Sequence, residues 1–366
     1  MGDNEYPARR RAVVEGLAGR KLDGLLVVLS PNLLYLSGFT GSNGALLITE
    51  DRVTLFTDPR YTLQAARETA GRRAPAVRVR IAKGALVSSI AAEIARLKLR
   101  HIGYEPARMT CDSRDALCGL LPLGASLKVV GGWIEQLRMV KSEAEVDMIR
   151  RSVVTNSKAF EAARRRLKAG VSEQDFAAEL EYRMRRFGAE KPAFETIVAS
   201  GVRSALPHAQ PTAKAMKPGE LVVVDMGACQ DGYSSDMTRM IFLGSPGTKV
   251  KRAYAAVLEA QLAAIDAVKP GVHAQALDRV ARRVLRKHGL ERAFVHSTGH
   301  GLGLEIHEPP RIGKRDQTVL QAGMAITIEP GVYIEGWGGI RIEDTLAVTS
   351  SGCEVLTPTA KDLHVI

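Results

Sequence analysis

Four carboxylates and a glycine-rich stretch bearing two histidines carry the clearest chemistry in this 366-residue chain. Asp225 ends the apolar run Leu221-Val222-Val223-Val224, and Glu329 ends Ala325-Ile326-Thr327-Ile328. Each is trailed by a second acid: Asp236 comes eleven residues after Asp225, and Glu343 fourteen after Glu329. If each run pairs with its follower as an antiparallel hairpin, two acids stand side by side on one face. Four acids gathered without counter-charge repel one another and are costly to desolvate, so something cationic belongs between them. Divalent metal fits, and two ions fit four acids better than one; a pair about 3.5–4 Å apart, bridged by carboxylates, is a hydrolytic device. His296-Ser297-Thr298-Gly299-His300-Gly301 lies between the two hairpins in sequence and can supply a nitrogen ligand. A set of oxygens with one imidazole favours Mn, with Zn, Co or Fe as alternatives. No G-x-S-x-G elbow is present, so serine hydrolysis lacks its marker, and nothing around Cys229 marks a nucleophile.

These acids sit in a second half that repeats itself. Lys168-Ala169-Gly170-Val171 is echoed by Lys269-Pro270-Gly271-Val272, and in each copy the next helix-stopping glycine, Gly188 or Gly289, follows at the same distance. Gly219 precedes Asp225 by six residues, as Gly323 precedes Glu329. Gly227 and Gly331 follow the acids by two, and acid-Gly pairs come next, Asp231-Gly232 and Glu335-Gly336. This run of matched offsets predicts a duplicated helix-helix-hairpin unit with pseudo-twofold symmetry, its strand-end carboxylates meeting at the centre. A capping box at Ser142 and Glu145 starts a helix reaching Leu167; a second starts at Ser172, with Val171 and Phe176 as a hydrophobic staple.

The first half alternates apolar runs (25–29, 45–48, 53–56, 77–81) with helical patterns (8–20, 60–70, 85–98, 112–120), the signature of an α/β layer. Val77, Val79 and Ile81 alternate with Arg78 and Arg80, which predicts a strand with one wet face. The composition, 45% hydrophobic and 25% charged, excludes wholesale disorder. No apolar run approaches the roughly 20 residues of a membrane span, and no secretory apolar core follows the polar start Met1–Arg11. Four cysteines without a CxxC pair argue against structural zinc or a disulfide scaffold and for the cytoplasm. The net charge of +11 reads as a solvated basic surface. Arg9–Arg11 and Arg164–Arg166 lie in helices without interleaved aromatics, so no nucleic-acid partner is expected.

Specific motifs carry a family resemblance. Ser204-Ala205-Leu206-Pro207-His208, Val224-Asp225-Met226-Gly227-Ala228, Asp231-Gly232-Tyr233-Ser234-Ser235-Asp236-Met237-Thr238-Arg239, His296 to His307, Ile328-Glu329-Pro330-Gly331 and Gly339-Ile340-Arg341-Ile342-Glu343-Asp344 form one set. Tyr35 to Ser42, Thr57-Asp58-Pro59-Arg60-Tyr61 and the linker Arg138-Met139-Val140-Lys141-Ser142-Glu143 extend it into the first half. The sequence resembles the creatinase/prolidase/aminopeptidase P branch of the pita-bread metallopeptidases over nearly its whole length. The resemblance implies an α/β (α+β) chain: a creatinase-type N-terminal domain over residues 1–135, then a pita-bread catalytic domain over 136–366. It implies Asp225, Asp236, His300, Glu329 and Glu343 as metal ligands, choosing His300 over His296, with Asp236 and Glu343 bridging. It gives His208, His296 and His307 outer roles around substrate, and it implies a homodimer.

The chemistry expected is hydrolysis of an X–Pro bond by a water whose pKa two cations lower, with Glu329 shuttling a proton. Arg341 shares a strand face with Glu343 and either holds the carboxylates or binds substrate; Thr238 can hydrogen-bond a ligand. The resemblance implies an X–Pro peptide as substrate, whose tertiary amide general peptidases fit poorly. Xaa-Pro aminopeptidase is the leading expectation and Xaa-Pro dipeptidase the alternative. A metal-free creatinase-like hydrolase is disfavoured because all five ligand types are present; a non-catalytic interaction protein is disfavoured because His208 and His307 are present too.

Overall fold

The computed structural model describes residues 5–69 and 77–366. Met1–Asn4 of the polar start, and residue 70 at the expected end of the second helical segment, lie outside the described residues. The chain divides after Arg138 into two compact units. The helix Trp133–Met139 starts in the first unit, where Trp133 lies against Gly16 and Arg20 stacks on its ring, and its last residue, Met139, belongs to the second.

The first unit is a six-stranded mixed sheet built from β1 (Gly24–Val27), β2 (Gly44–Thr49), β3 (Val53–Thr57), β4 (Val77–Ile81), β5 (His101–Tyr104) and β6 (Ser126–Val129). Their order is β4-β3-β2-β1-β5-β6, antiparallel at β1–β2 and β2–β3 and parallel elsewhere. Leu26, Leu47, Phe56 and Ile102 meet Ile90 and Ile94 of the helix Leu86–Arg96 in its core. The expected wet face of β4 is only partly wet. Arg78 is exposed, but Arg80 is half-buried in an ion pair, 2.7 Å from the buried Glu93. A buried carboxylate needs such partners, and Arg96 supplies another at 2.6 Å. The helix Ser30–Ser37 escapes the sequence pattern; Pro31 opens it and Gly38 closes it in the left-handed region.

The second unit is two copies of one pattern. In the first, helices Glu143–Arg164 and Glu173–Arg186 cover a sheet of β8 (Ile197–Ser200), β9 (Leu221–Met226) and β12 (Met237–Phe242), with β20 (His364–Val365) at its edge. The short strands β7 (Lys191–Pro192), β10 (Ala228–Gln230) and β11 (Tyr233–Ser234) form a small sheet of their own. In the second copy, helices Thr248–Asp266 and Ala274–Lys287 cover β13 (Gly299–Gly301), β14 (Glu308–Ile312), β15 (Ala325–Ile328), β18 (Asp344–Val348) and β19 (Cys353–Val355). Hairpin β16 (Gly331–Ile334) and β17 (Gly338–Arg341) stands apart. The orders β8-β9-β12 and β13-β15-β18 correspond. Each copy has its own core: Phe160, Leu180, Val222, Val224 and Ile241 in the first, Val257, Leu277, Ile326, Ile328 and Leu346 in the second.

The echoed turns match atom for atom. The Gly170 N–H donates to the Met216 carbonyl and the Gly271 N–H to that of Leu320, both glycines at positive φ (93° and 85°). The capping box at Ser142 forms, and Ser172 caps its helix through the Asp175 N–H.

Candidate metal centre

Each acid is placed by a strand end. β9 is buried throughout and delivers Asp225; across the antiparallel ladder Thr238 lies opposite it, and Asp236, two residues earlier, shares Thr238's face. In the second copy, β15 pairs with β18 up to Ile328 and Asp344; Glu329 and Glu343 lie one step beyond that pair. His300 enters between them on β13, flanked by glycines that permit close backbone approach. A Cβ on Gly299 would lie 2.0 Å from the Thr327 carbonyl oxygen.

The result is a buried box of carboxylates. Asp236, Glu343 and His300 offer ligand atoms that all lie within 4.8 Å of one another. The His300 Nε2 stands 3.5 Å from Asp236 and 3.4 Å from Glu329. Its Nδ1–H donates to the Gly301 carbonyl at 3.0 Å, which leaves Nε2 with a free lone pair directed at the acids. Asp225 Oδ1 and Asp236 Oδ1 are buried without a hydrogen-bond partner among the described residues. Burial, then Asp225 and Glu329, raises the Asp236 carboxyl well above its ordinary pKa. Burial, then Asp236, Glu329 and Asp225, does the same to Glu343, and burial raises Glu329. Among the described residues the four carboxylates share one guanidinium, Arg341, so the box is short of positive charge. Orphaned oxygens, a free imidazole lone pair and hard donors together fit divalent cations.

The contacts of Arg341 are those of a brace on the carboxylates, although it also lines the cleft. It is 2% exposed and every arm is engaged: Nη2 to Asp225 at 2.6 Å, Nε to Thr238 at 2.9 Å, Nη1 to Tyr333 at 2.5 Å and to the Pro207 carbonyl at 3.1 Å. Thr238 passes the brace on by donating to Glu343 at 2.7 Å, not to its near neighbour Asp236.

His208, His296 and His307 line the same open cleft of about 840 Å³, with Phe194, Ile197 and Ile306 as apolar walls. His307 lies edge-on to His300, ring centroids 4.5 Å apart. Burial, then His300 and His208, lowers its pKa. Burial and Arg341 push His296 down to about 3, so it is neutral at physiological pH. Its Nδ1–H donates to the Ser297 carbonyl, and its Nε2 accepts from the Tyr333 hydroxyl at 2.9 Å. Sequence reasoning missed Tyr333, whose hydroxyl joins His296 to Arg341 and whose pKa burial raises to about 12. A tyrosine four residues beyond a strand-end acid was the only signal. It also missed Arg311, an exposed cation of the cleft lining with no ion pair among the described residues.

A duplicated fold whose halves pool their strand-end acids around hard-cation sites defines a metallohydrolase. Comparison with known proteins gives the family. The model of metallopeptidase family M24 matches residues 147–350, and that of the creatinase/prolidase N-terminal domain matches residues 9–140. A Xaa-Pro dipeptidase of Pyrococcus horikoshii is 38% identical, covering 96% of this chain and 97% of its own. Among solved structures, a Xaa-Pro dipeptidase from Bacillus anthracis superposes with a TM-score of 0.93 at 36% identity, covering both chains completely. An X-Pro aminopeptidase from Thermotoga maritima gives 0.90, also at 36% identity, over 98% of this chain and 100% of its own. The chain belongs to metallopeptidase family M24, in its creatinase/prolidase/aminopeptidase P branch.

Proposed function

We propose that this protein is a Xaa-Pro dipeptidase that holds two divalent metal ions, manganese favoured, between Asp225, Asp236, His300, Glu329 and Glu343. The observation that carries the hydrolytic reading is the box itself, with buried carboxylate oxygens that nothing among the described residues satisfies. Bound metal would supply Lewis acidity and an activated water there. The chain's own groups do the rest. Proline's nitrogen carries no hydrogen and needs one to leave as an amine; Glu329, its Oε1 accepting from Thr327 at 3.2 Å beside the open cleft, is the group to hand it over. His307 and His208 face the substrate from the cleft lining, His307 in its neutral form, which offers a donor and an acceptor.

The sequence alone favoured removal of a residue from longer X-Pro peptides. Two observations move the dipeptidase reading ahead. The Pyrococcus relative, similar over nearly its full length, is named a dipeptidase. Arg311, exposed on the cleft lining without an ion-pair partner among the described residues, suits a substrate whose carboxylate lies directly on proline.

The test assays metal-restored enzyme on Ala-Pro, Ala-Pro-Ala and a longer X-Pro peptide. Cleavage of Ala-Pro alone is expected; comparable cleavage of all three establishes the aminopeptidase alternative. Arg311→Ala should raise KM for Ala-Pro by about 10- to 100-fold, the worth of a charge-assisted hydrogen bond, and leave Ala-Pro amide unaffected. An unchanged KM removes Arg311 from substrate binding.

A further inference from the structure

The linker motif around Lys141 has no part in the chemistry so far described, yet its side chains reach into the catalytic unit. Lys141 is buried, and its ammonium donates to the equally buried Glu308 at 3.1 Å. Its backbone N–H donates to the Gly323 carbonyl at 2.9 Å, which fixes the lysine against the strand leading to Glu329. Glu308 directly follows His307. Its other oxygen accepts the Glu305 N–H at 3.0 Å, and a Cβ on Gly303 would lie 2.9 Å from that oxygen. The loop 303–308 is thus folded around one carboxylate, and Lys141 holds that carboxylate. Within this loop His307 is exposed and Glu308 is buried, so the anchor sits one residue from the histidine it would steady.

The same turn reaches the other hairpin. Glu145 closes the capping box on Ser142 and also accepts the Tyr233 hydroxyl at 2.7 Å, on the loop between Asp225 and Asp236. The start of the helix Glu143–Arg164 therefore reaches the loop that joins Asp225 to Asp236, just as Lys141 reaches the 303–308 loop. A buried lysine that served stability alone would be a poor choice, because an apolar pair of similar volume does that as well.

We infer that Lys141 is a positioning residue: its ion pair with Glu308 holds the 303–308 loop so that the His307 imidazole stands beside His300 at the cleft. This inference rests on the role proposed for His307 in turnover.

A double-mutant cycle on the metal-loaded full chain tests it. Lys141→Met should lower kcat for Ala-Pro by at least about ten-fold with KM changed by less than about three-fold, since misplacement by an ångström is that costly. In the His307→Ala background the same change should cost less than about two-fold, because the group it positions is gone. Metal content is measured alongside and should equal wild type in every variant. If Lys141→Met fails to fold, Lys141→Met with Glu308→Gln leaves no unpaired buried charge, keeps an acceptor for the Glu305 N–H, and replaces it in the cycle. Losses that multiply, or that follow metal content, overturn the inference and leave the role of His307 standing. A His307→Ala variant with wild-type kcat overturns that role, and the inference with it.

Discussion

Replacing Asp236 by Asn should stabilise the metal-free protein while abolishing its activity. Asp236 is 5% exposed, its Oδ1 has no partner among the described residues, and Asp225 and Glu329 raise its pKa on top of burial. Asn fills the same volume without the charge, and its amide can donate to the neighbouring carboxylates. Relieving one unsatisfied buried polar atom is worth about 1–3 kcal/mol. For a unit of this size that raises the melting midpoint by roughly 2–12 °C. The effect depends on pH with a fixed sign. An acid whose pKa is raised by folding binds its proton more tightly in the folded state, so the metal-free wild type loses stability as pH climbs above the ordinary carboxylate range. The advantage of the variant should vanish near about pH 4 and grow toward neutrality. With metal present the order should reverse, because the ion stabilises only the protein that retains its ligands. Thermal unfolding of chelator-stripped and metal-restored samples across pH, with metal content and Ala-Pro hydrolysis measured in parallel, makes the comparison. A metal-free variant that melts below wild type, or one that keeps metal-dependent activity, refutes the carboxylate-box argument.

His307→Ala should lower kcat at least about 10²-fold with metal content unchanged, read by steady-state kinetics and elemental analysis. Gly271→Val forces a β-branched residue to φ of 85°, where nothing within 4 Å of the new Cβ clashes. The backbone cost alone, about 1–2 kcal/mol, should lower the midpoint by roughly 2–8 °C and leave kcat at 25 °C untouched. Arg282→Met strips the partner, 2.7 Å away, from the buried Asp278 and frees the Phe294 and His296 carbonyls that the guanidinium holds. It should destabilise by about 3–5 kcal/mol in denaturant titration, and adding Asp278→Leu should recover only part of that, because the two carbonyls stay without their donor and Thr298 loses its acceptor.

What could be read in the sequence was whatever local pattern encodes. Val222 to Val224 and Ala325 to Ile328 announce buried strands, an acid at the end of such a strand is conspicuous, and finding the arrangement twice in register makes it a site. Pairing across the molecule is decided by register between segments far apart in the chain, which no local pattern records. Arg341 illustrates this: its partner Asp225 lies 116 residues away, so the sequence left open whether it braces the acids or meets substrate. Thr238 was expected to hydrogen-bond a candidate ligand, and its hydroxyl donates to Glu343 on the other copy rather than to Asp236, two residues before it. Tyr333 looked like any strand aromatic because packing it is reason enough for its presence; only its hydroxyl between His296 and Arg341 marks it out. Arg80 misled in the opposite sense, since alternation with Val79 and Ile81 implies solvent, whereas Glu93 on a later helix draws it in. Substrate length is the least local property of all. On the reading proposed here it turns on one cation at the edge of the cleft, and among 51 lysines and arginines nothing in the spacing of Arg311 sets it apart until the fold puts it there.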